Sequence, residues 1–387
     1  MKIAQVCPFF YPVLGGMEEH VYRISKNFIK NGNEVYVFTS NSLRKGKIKK
    51  FYEVLEGIKI FRFNTILKLG DFGVIYFGFL NYLIKNNFDV IHVHNYRHLH
   101  TVLAALLCRF MNKPCVLTTH SPFHQNKLRR NLSRVFVKIY DFFLSKFIDK
   151  MFSKIILINS SELRYFKHVD RKKLVVIPNG IDNMFFKKYS KILKRKIMKK
   201  YNISKKDYVI LFVGRIHPTK GLKFLIDGFS CLNRKNVKLL IVGPVQDGNY
   251  FLMLKKTIKE RGLENKVIFT GMVSESEKIA LYDISKIFIL PSIYEPFGIV
   301  ILEAFARKKP VIAVESDGPN YLIKNGENGF LIKYGDEKAL VKYIEVLMKD
   351  KKTYNKICSN NIKKVKEFTW EKVAKKIMDV YEEVCKQ

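Results

Sequence analysis

Residues 294–303 read YEPFGIVILE, with Glu295 and Glu303 bracketing a Pro-Phe-Gly turn and an apolar run. Apolar runs belong in cores and carboxylates rarely do, so two acids here need a reason. Further upstream, GRIHPTKGL places Arg215 and Lys220 five residues apart, with Gly221 next. Two cations at a strand exit beside a helix start suit a diphosphate. Arg offers a bidentate fork and Lys a point charge. A surface loop with incidental charges is the plainer account. Near the N-terminus, YPVLGGMEEH sets Gly15 and Gly16 at the start of a helical pattern, with Val21, Ile24 and Phe28 on one face. Bare N–H groups and the positive dipole end make such a start an anion site, although a tight turn also explains it. A helix opened by Gly298 leaves the amides of Gly298, Ile299 and Val300 without intrahelical partners. Acids beside phosphate make sense if they accept hydrogen bonds from sugar hydroxyls. One carboxylate then holds a ribose and the other a hexose, with the diphosphate between them. Otherwise they are helix-end acids favoured by the dipole.

The elements that must carry these residues alternate. Short β-branched runs (IAQV, EVYVF, IKIFRF, DVIHV, PCVLTT, KIILI, LVVIP) fill the first half, and VILFV, VKLLIV, KVIFT, KIFIL and PVIAV fill the second. Many are continuously apolar, as strands buried on both faces are. Amphipathic segments at 17–31, 221–231, 249–262 and 336–349 separate them. The pattern predicts an α/β protein with two Rossmann-like, doubly wound parallel sheets. A length of 387 residues also favours two domains. Residues 187–206 hold ten basic residues and no acid after the turn Pro178-Asn179-Gly180-Ile181-Asp182. The boundaries expected are 1–185, 186–368 and a final amphipathic helix over 369–387 that packs on either domain.

The net charge of +36 asks for a partner: nucleic acid, anionic membrane or a phosphate-bearing substrate. Residues 1–185 carry 29 Lys/Arg against 12 Asp/Glu, and the remainder 41 against 22, so the excess is even. An even excess fits a composition bias as well as a patch. No nucleic-acid motif or interleaved aromatic–basic strip occurs, so no specific nucleic acid is expected. The longest apolar stretch, 72–84, contains Asn81 and falls short of the ~20 residues a spanning helix needs. No signal-peptide pattern opens the chain, and the six scattered cysteines form no CxxC pair. A cytoplasmic protein with free thiols is the expectation. Residues 127–150 place Leu128, Leu132, Val135, Ile139, Phe143 and Phe147 at helical spacing among seven basic residues. This is either a basic amphipathic helix for peripheral membrane contact or an ordinary core-facing helix.

EPFGIVILE, preceded by FVGRIHPTKG and IPNGID, resembles glycosyltransferase family 4. GGMEEH, DVIHVHN, TTHSPFH, LIVG, FTGMV and NGENGFL follow the same pattern in the same order. The resemblance spans nearly the whole chain. It implies the GT-B architecture, two domains facing across a cleft, and a retaining, nucleotide-sugar-dependent transferase. By resemblance, Gly15 and Gly16 meet the donor phosphate, while Arg215 and Lys220 neutralise the diphosphate. Glu303 binds the ribose and Glu295 the transferred sugar. The amides of Phe297, Gly298, Ile299 and Val300 meet sugar and phosphate, and His120 lies near the transferred sugar. His92 and His94, alternating on a strand, read as strand or cleft-wall residues rather than metal ligands. The pattern departs at SDGPNYLIKNG, where Tyr321 stands near a glutamate common in the family.

No Asp-x-Asp pair occurs, so the expectation is metal-independent transfer with no cofactor. Fixed cations and helix amides would stabilise the leaving nucleoside diphosphate, and no protein base is assigned. The acceptor is a sugar or a lipid-linked hydroxyl. The alternatives are a nucleotide-sugar epimerase of similar architecture, or a non-catalytic protein that binds nucleotide-sugar or polyanion.

Overall fold

The structure is a computed structural model that describes residues 1–13, 15–43, 46–68, 73–120, 137, 140–188, 190–232 and 234–386. The chain divides into two compact units. One is Met1–Gly180 with Trp370–Gln387, and the other is Ile181–Thr369. The boundary therefore falls a few residues before 186. Ile181 donates its N–H to the Phe368 carbonyl at 2.7 Å, which ties that turn to the second unit.

In the first unit eight strands form one sheet in the order β10-β9-β8-β7-β1-β2-β4-β3. They are β1 (Lys2–Val6), β2 (Glu34–Ser40), β3 (Tyr52–Leu55), β4 (Ile58–Phe63), β7 (Val90–His94), β8 (Cys115–Thr118), β9 (Lys154–Leu157) and β10 (Leu174–Val176). Only β3 runs antiparallel, on the edge. A separate hairpin joins β5 (Leu67–Lys68) to β6 (Val74–Ile75). All five residues of β7 are buried, as helices on both faces of a parallel sheet require. The final helix, Trp370–Cys385, packs against the helix Gly16–Lys30 through Val373, Ile377, Val380, Tyr381 and Val384.

The second unit has six parallel strands in the order β13-β12-β11-β14-β15-β16. They are β11 (Tyr208–Val213), β12 (Val237–Val242), β13 (Val267–Gly271), β14 (Ile287–Leu290), β15 (Val311–Val314) and β16 (Phe330–Ile332). The winding runs outward from β11 one way and from β14 the other. The reversal point between them is where an open α/β sheet binds ligands, beyond the carboxyl ends of the strands. The first unit reverses in the same manner between β1 and β7.

The basic stretch after the boundary forms the helix Lys191–Lys200, capped by the Ser190 hydroxyl. It buries Ile197 against the helix Glu275–Ile284, and Lys194 and Lys200 pair with Asp283 and Glu277 of that helix. Of residues 127–150, only 137 and 140–150 are described, as short helical turns. The rest of that expectation lies outside the described residues. Among the described residues, no helix is long and apolar enough to cross a membrane.

Candidate active site

In the second unit the predicted residues converge on the reversal point. Arg215 follows the exit of β11, and its Nη1 donates to Gln246 Oε1 at 2.7 Å. Lys220 ends the turn Pro218–Lys220, which His217 caps by accepting from the Thr219 N–H. Gly221 follows with φ +66°, and a Cβ there would lie 2.0 Å from the Pro291 carbonyl oxygen. Glycine is therefore required both by conformation and by space. The Ile293 N–H donates to the Thr219 carbonyl at 2.9 Å, which stitches the β11 exit to the β14 exit. This close approach sets Lys220 Nζ 2.7 Å from Glu295 Oε2. Both side chains are mostly shielded from solvent.

Gly298, at φ +86°, caps the helix Ile299–Ala306 without any side-chain cap. The Ile301 N–H closes on the Gly298 carbonyl at 2.8 Å, while helix geometry gives the amides of Gly298, Ile299 and Val300 no intrahelical partner. Gly318 presses on this segment so closely that a Cβ would meet Phe297 backbone atoms at 2.3–2.5 Å. The helix Asp317–Leu322 thus braces the Glu295–Gly298 turn, and the Tyr321 ring lies 6.3 Å from that of Phe297. Glu303, one turn into the helix, is buried. Its Oε1 accepts from Lys278 Nζ and its Oε2 from the Tyr282 hydroxyl, both at 2.9 Å. Burial raises the Glu303 pKa above the usual carboxylate value, and Lys278 opposes the rise. For Lys278, burial acts to lower the pKa, but Glu303 and then Glu275 hold it above the ordinary lysine value. Each carboxylate oxygen has more than one acceptor position, so Glu303 keeps capacity for a hydroxyl. Sequence reading missed Lys278 and Tyr282. Their only signal is the i, i+4 spacing on one helix.

In the first unit, Gly15 and Gly16 open the helix Gly16–Lys30, again with no side-chain cap. A Cβ at Gly16 would touch nothing within 4 Å. Packing inside the unit does not demand glycine there. His120 sits beyond β8 with left-handed backbone, φ +51°, a conformation L residues seldom hold without cause. Its Nε2 lies 3.0 Å from His94 Nδ1. His20, from GGMEEH, pairs through Nδ1 with Asn179 Oδ1 of the PNG turn at 2.8 Å and stacks edge-on to Trp370. Burial, then repulsion from neighbouring histidines, holds His120 and His92 far below the usual imidazole pKa. His20 falls to about 4, chiefly through burial. These imidazoles are neutral at pH 7. His20, His94 and His120 each offer a ring nitrogen, all within 4.8 Å of one another. A cation could gather them only by displacing the His94–His120 hydrogen bond.

Two doubly wound sheets, each with its motif residues at the reversal point, define a protein of the GT-B glycosyltransferase architecture. Residues 14–184 match the model for Glycosyltransferase Family 4, and residues 194–365 match that for Glycosyl transferases group 1. The chain belongs to glycosyltransferase family 4 and is a glycosyltransferase. It is 27% identical over 411 residues to an uncharacterized glycosyltransferase of Methanocaldococcus jannaschii, covering 98% of each chain. It is 24% identical to phosphatidyl-myo-inositol mannosyltransferase of Mycobacterium leprae, covering 100% of this chain and 97% of that one. HepE of Anabaena, solved in complex with UDP and glucose, superposes with a TM-score of 0.77 at 23% identity. That match covers 99% of this chain and 100% of HepE, and at such identity it speaks to the fold.

Proposed function

We propose that the enzyme moves a hexose-type sugar from a nucleoside-diphosphate sugar to an acceptor hydroxyl, with retention and without a metal ion. The observation that carries this reading is the Lys220–Glu295 pair at 2.7 Å beside the uncapped helix start at Gly298. It puts a cation for phosphate and a carboxylate for sugar hydroxyls side by side. Arg215, Lys220 and the amides of Gly298, Ile299 and Val300 stabilise the leaving diphosphate. Glu303 takes the ribose hydroxyls, and Glu295 and His120 take the transferred sugar. The anomeric carbon–phosphate oxygen bond breaks through an oxocarbenium-like state, and the acceptor oxygen bonds to the same face. The acceptor's proton passes to the departing phosphate oxygen, so no protein base is needed. Positive charge already in place lowers this barrier because nothing must reorganise during the reaction.

Thermal-shift titration of a panel of nucleoside diphosphates and their sugars, in the presence of a chelator, tests the donor half of the reading. UDP and UDP-glucose come first, since HepE was solved with UDP-glucose. One nucleotide series is expected to raise the melting temperature; silence across the full panel would sink the assignment.

The acceptor reading we favour is lipid-linked. The helix Leu99–Phe110 packs against the turns at 145–151. The region exposes Leu106, Phe110, Phe143, Leu144 and Phe147, with Phe110 89% accessible. Arg109, Lys146 and Lys150 stand among them in sequence. Aromatic groups with interspersed cations suit an anionic bilayer surface, where each basic residue adds roughly 1 kcal/mol. The protein is expected to float with phosphatidylserine vesicles at low salt, and Phe143→Ser with Phe147→Ser to remain behind. Equal flotation of wild type and variant would place membrane contact elsewhere.

A further inference from the structure

The first unit contains a hydrogen-bonded chain that sequence reading did not assemble. It starts on the last helix. The Tyr381 hydroxyl is fully buried and lies 3.1 Å from Gln5 Nε2 and 2.6 Å from His92 Nδ1. Gln5 Oε1 lies 2.6 Å from His94 Nε2, and His94 Nδ1 lies 3.0 Å from His120 Nε2. His92 Nε2 closes the other end on Thr118 Oγ1 at 2.7 Å. Gln5 and His92 are direct partners in the β1–β7 register, and His94 pairs with Thr118 across β7 and β8. Gln5, His92, His94 and Thr118 are thus fixed on sheet positions, Tyr381 comes from the final helix, and His120 follows the end of β8.

The orientation of the Gln5 amide fixes the direction of every proton. Gln5 Nε2 donates to the Tyr381 oxygen, so Tyr381 donates its own proton to His92 Nδ1. Neutral His92 then carries its proton on Nε2 and donates to Thr118. At the other end, Gln5 Oε1 can only accept, so His94 carries its proton on Nε2. Its Nδ1 is an acceptor, and His120 must donate to it from Nε2. Neutral His120 is left with a lone pair on Nδ1. One amide thus decides the tautomer of a residue 115 positions away, because each neutral imidazole has one donor and one acceptor.

We propose that Tyr381, Gln5 and His94 are positioning residues that fix the tautomer and ring orientation of His120, presenting its Nδ1 as a hydrogen-bond acceptor for a sugar hydroxyl. The inference rests on the reading of His120 as the group that meets the transferred sugar. It extends that reading by placing part of the machinery on the final helix. The strained backbone at His120 fits the assignment, since the chain supplies a directional bond that holds the ring in place. A cation site on His20, His94 and His120 is the competing use of the same cluster. A cation there would have to displace the proton shared by His94 and His120 at 3.0 Å, and the zinc titration below separates the two uses.

The test uses the full chain labelled with 15N-histidine. Long-range 1H–15N spectra are expected to show His92, His94 and His120 all protonated at Nε2. In Tyr381→Phe the Gln5 amide loses its acceptor and can turn over, so the His120 signals are expected to shift toward a mixture of tautomers. His94→Asn retains an acceptor near the Nδ1 position and is expected to keep more Nε2-protonated His120 than His94→Phe. With the donor selected by the nucleotide panel, Tyr381→Phe and His94→Phe are expected to lose tenfold or more in kcat with donor KM unchanged. The extreme for a wrong tautomer is about 10⁴, the value known for serine proteases. His120 protonated at Nδ1 in the wild type, or His120 signals unchanged from the wild type in Tyr381→Phe and His94→Phe, would overturn the proposal. Stoichiometric zinc shifting His20, His94 and His120 together would overturn it in favour of a metal site. If the wild type turns over no donor at all, the transferase reading fails, yet the spectra still decide the tautomer.

Discussion

Lys220→Ala is expected to lose 10²–10³-fold in kcat/KM while its melting temperature stays close to that of the wild type. The size follows from removing one preorganised cation from a developing diphosphate, which typically has effects of that order. Lys220 lies on a turn outside the sheet, and its ammonium bonds the Glu295 carboxylate at 2.7 Å. Its loss leaves Glu295 near the Ser292 hydroxyl, 3.4 Å away, and opens no core cavity. Nucleoside diphosphate affinity by calorimetry should fall in parallel, because the phosphates are held in ground state and transition state alike. Wild-type affinity in the variant would mean that the phosphates bind elsewhere. Glu295→Gln provides the contrast: it removes the sugar acceptor charge and keeps Lys220, so nucleotide binding should survive while turnover drops.

Mild acid is expected to melt the first unit well before the second. His20, His92 and His94 are buried and His120 is half-buried; all are neutral at pH 7, with pKa values depressed by burial. A depressed pKa means that the unfolded chain binds the proton more readily. The stability these groups confer is complete above the unfolded value of ~6.5 and is lost as pH falls toward the folded values, about 4 for His20. Each contributes about 1.4 kcal/mol of loss per pH unit in that window. Protonating this cluster therefore removes a sizeable share of the marginal stability of a domain. Asp149, raised to about 6 by burial, works in the opposite direction, but it is a single group. The second unit has only His217. Trp370 is the sole tryptophan and lies edge-on to His20, so its fluorescence reports the first unit. Urea midpoints by that signal should fall steeply between pH 6.5 and 4.5. A midpoint constant from pH 7 to 5 would show that the histidines are solvated or charged.

The sequence made some features legible for physical reasons and hid others. β7, β11, β14 and β15 are buried on both faces, so apolar runs with no alternation announce them. β3 lies on an edge with alternating exposure, and β16 is three residues long, so neither leaves a run to see. The helix Leu99–Phe110 is apolar nearly all round and blurs into its neighbours. Arg215, Lys220, Glu295 and Glu303 were visible because charge or glycine at a strand exit is unusual. The Lys278 and Tyr282 partners of Glu303 sit on a helix of ordinary composition. Gln5 and Tyr381 lie 376 positions apart, and no local pattern joins residues whose only relation is a shared core. His92 and His94 alternate along a strand, which says nothing of their partners; the structure buries both within the sheet and gives both of their ring nitrogens partners.

The final helix belongs to the unit where the chain begins, while the 189 residues before it form the other unit. A ribosome therefore releases a complete second unit before the first can close. Until Tyr381 emerges, the nascent Gln5 Nε2 and His92 Nδ1 lack the hydroxyl that joins them, and Trp370 cannot yet cover His20. The early sheet must wait, partly assembled, through most of translation. A truncation at Thr369 should consequently leave Ile181–Thr369 foldable and the first 180 residues a substrate for chaperones.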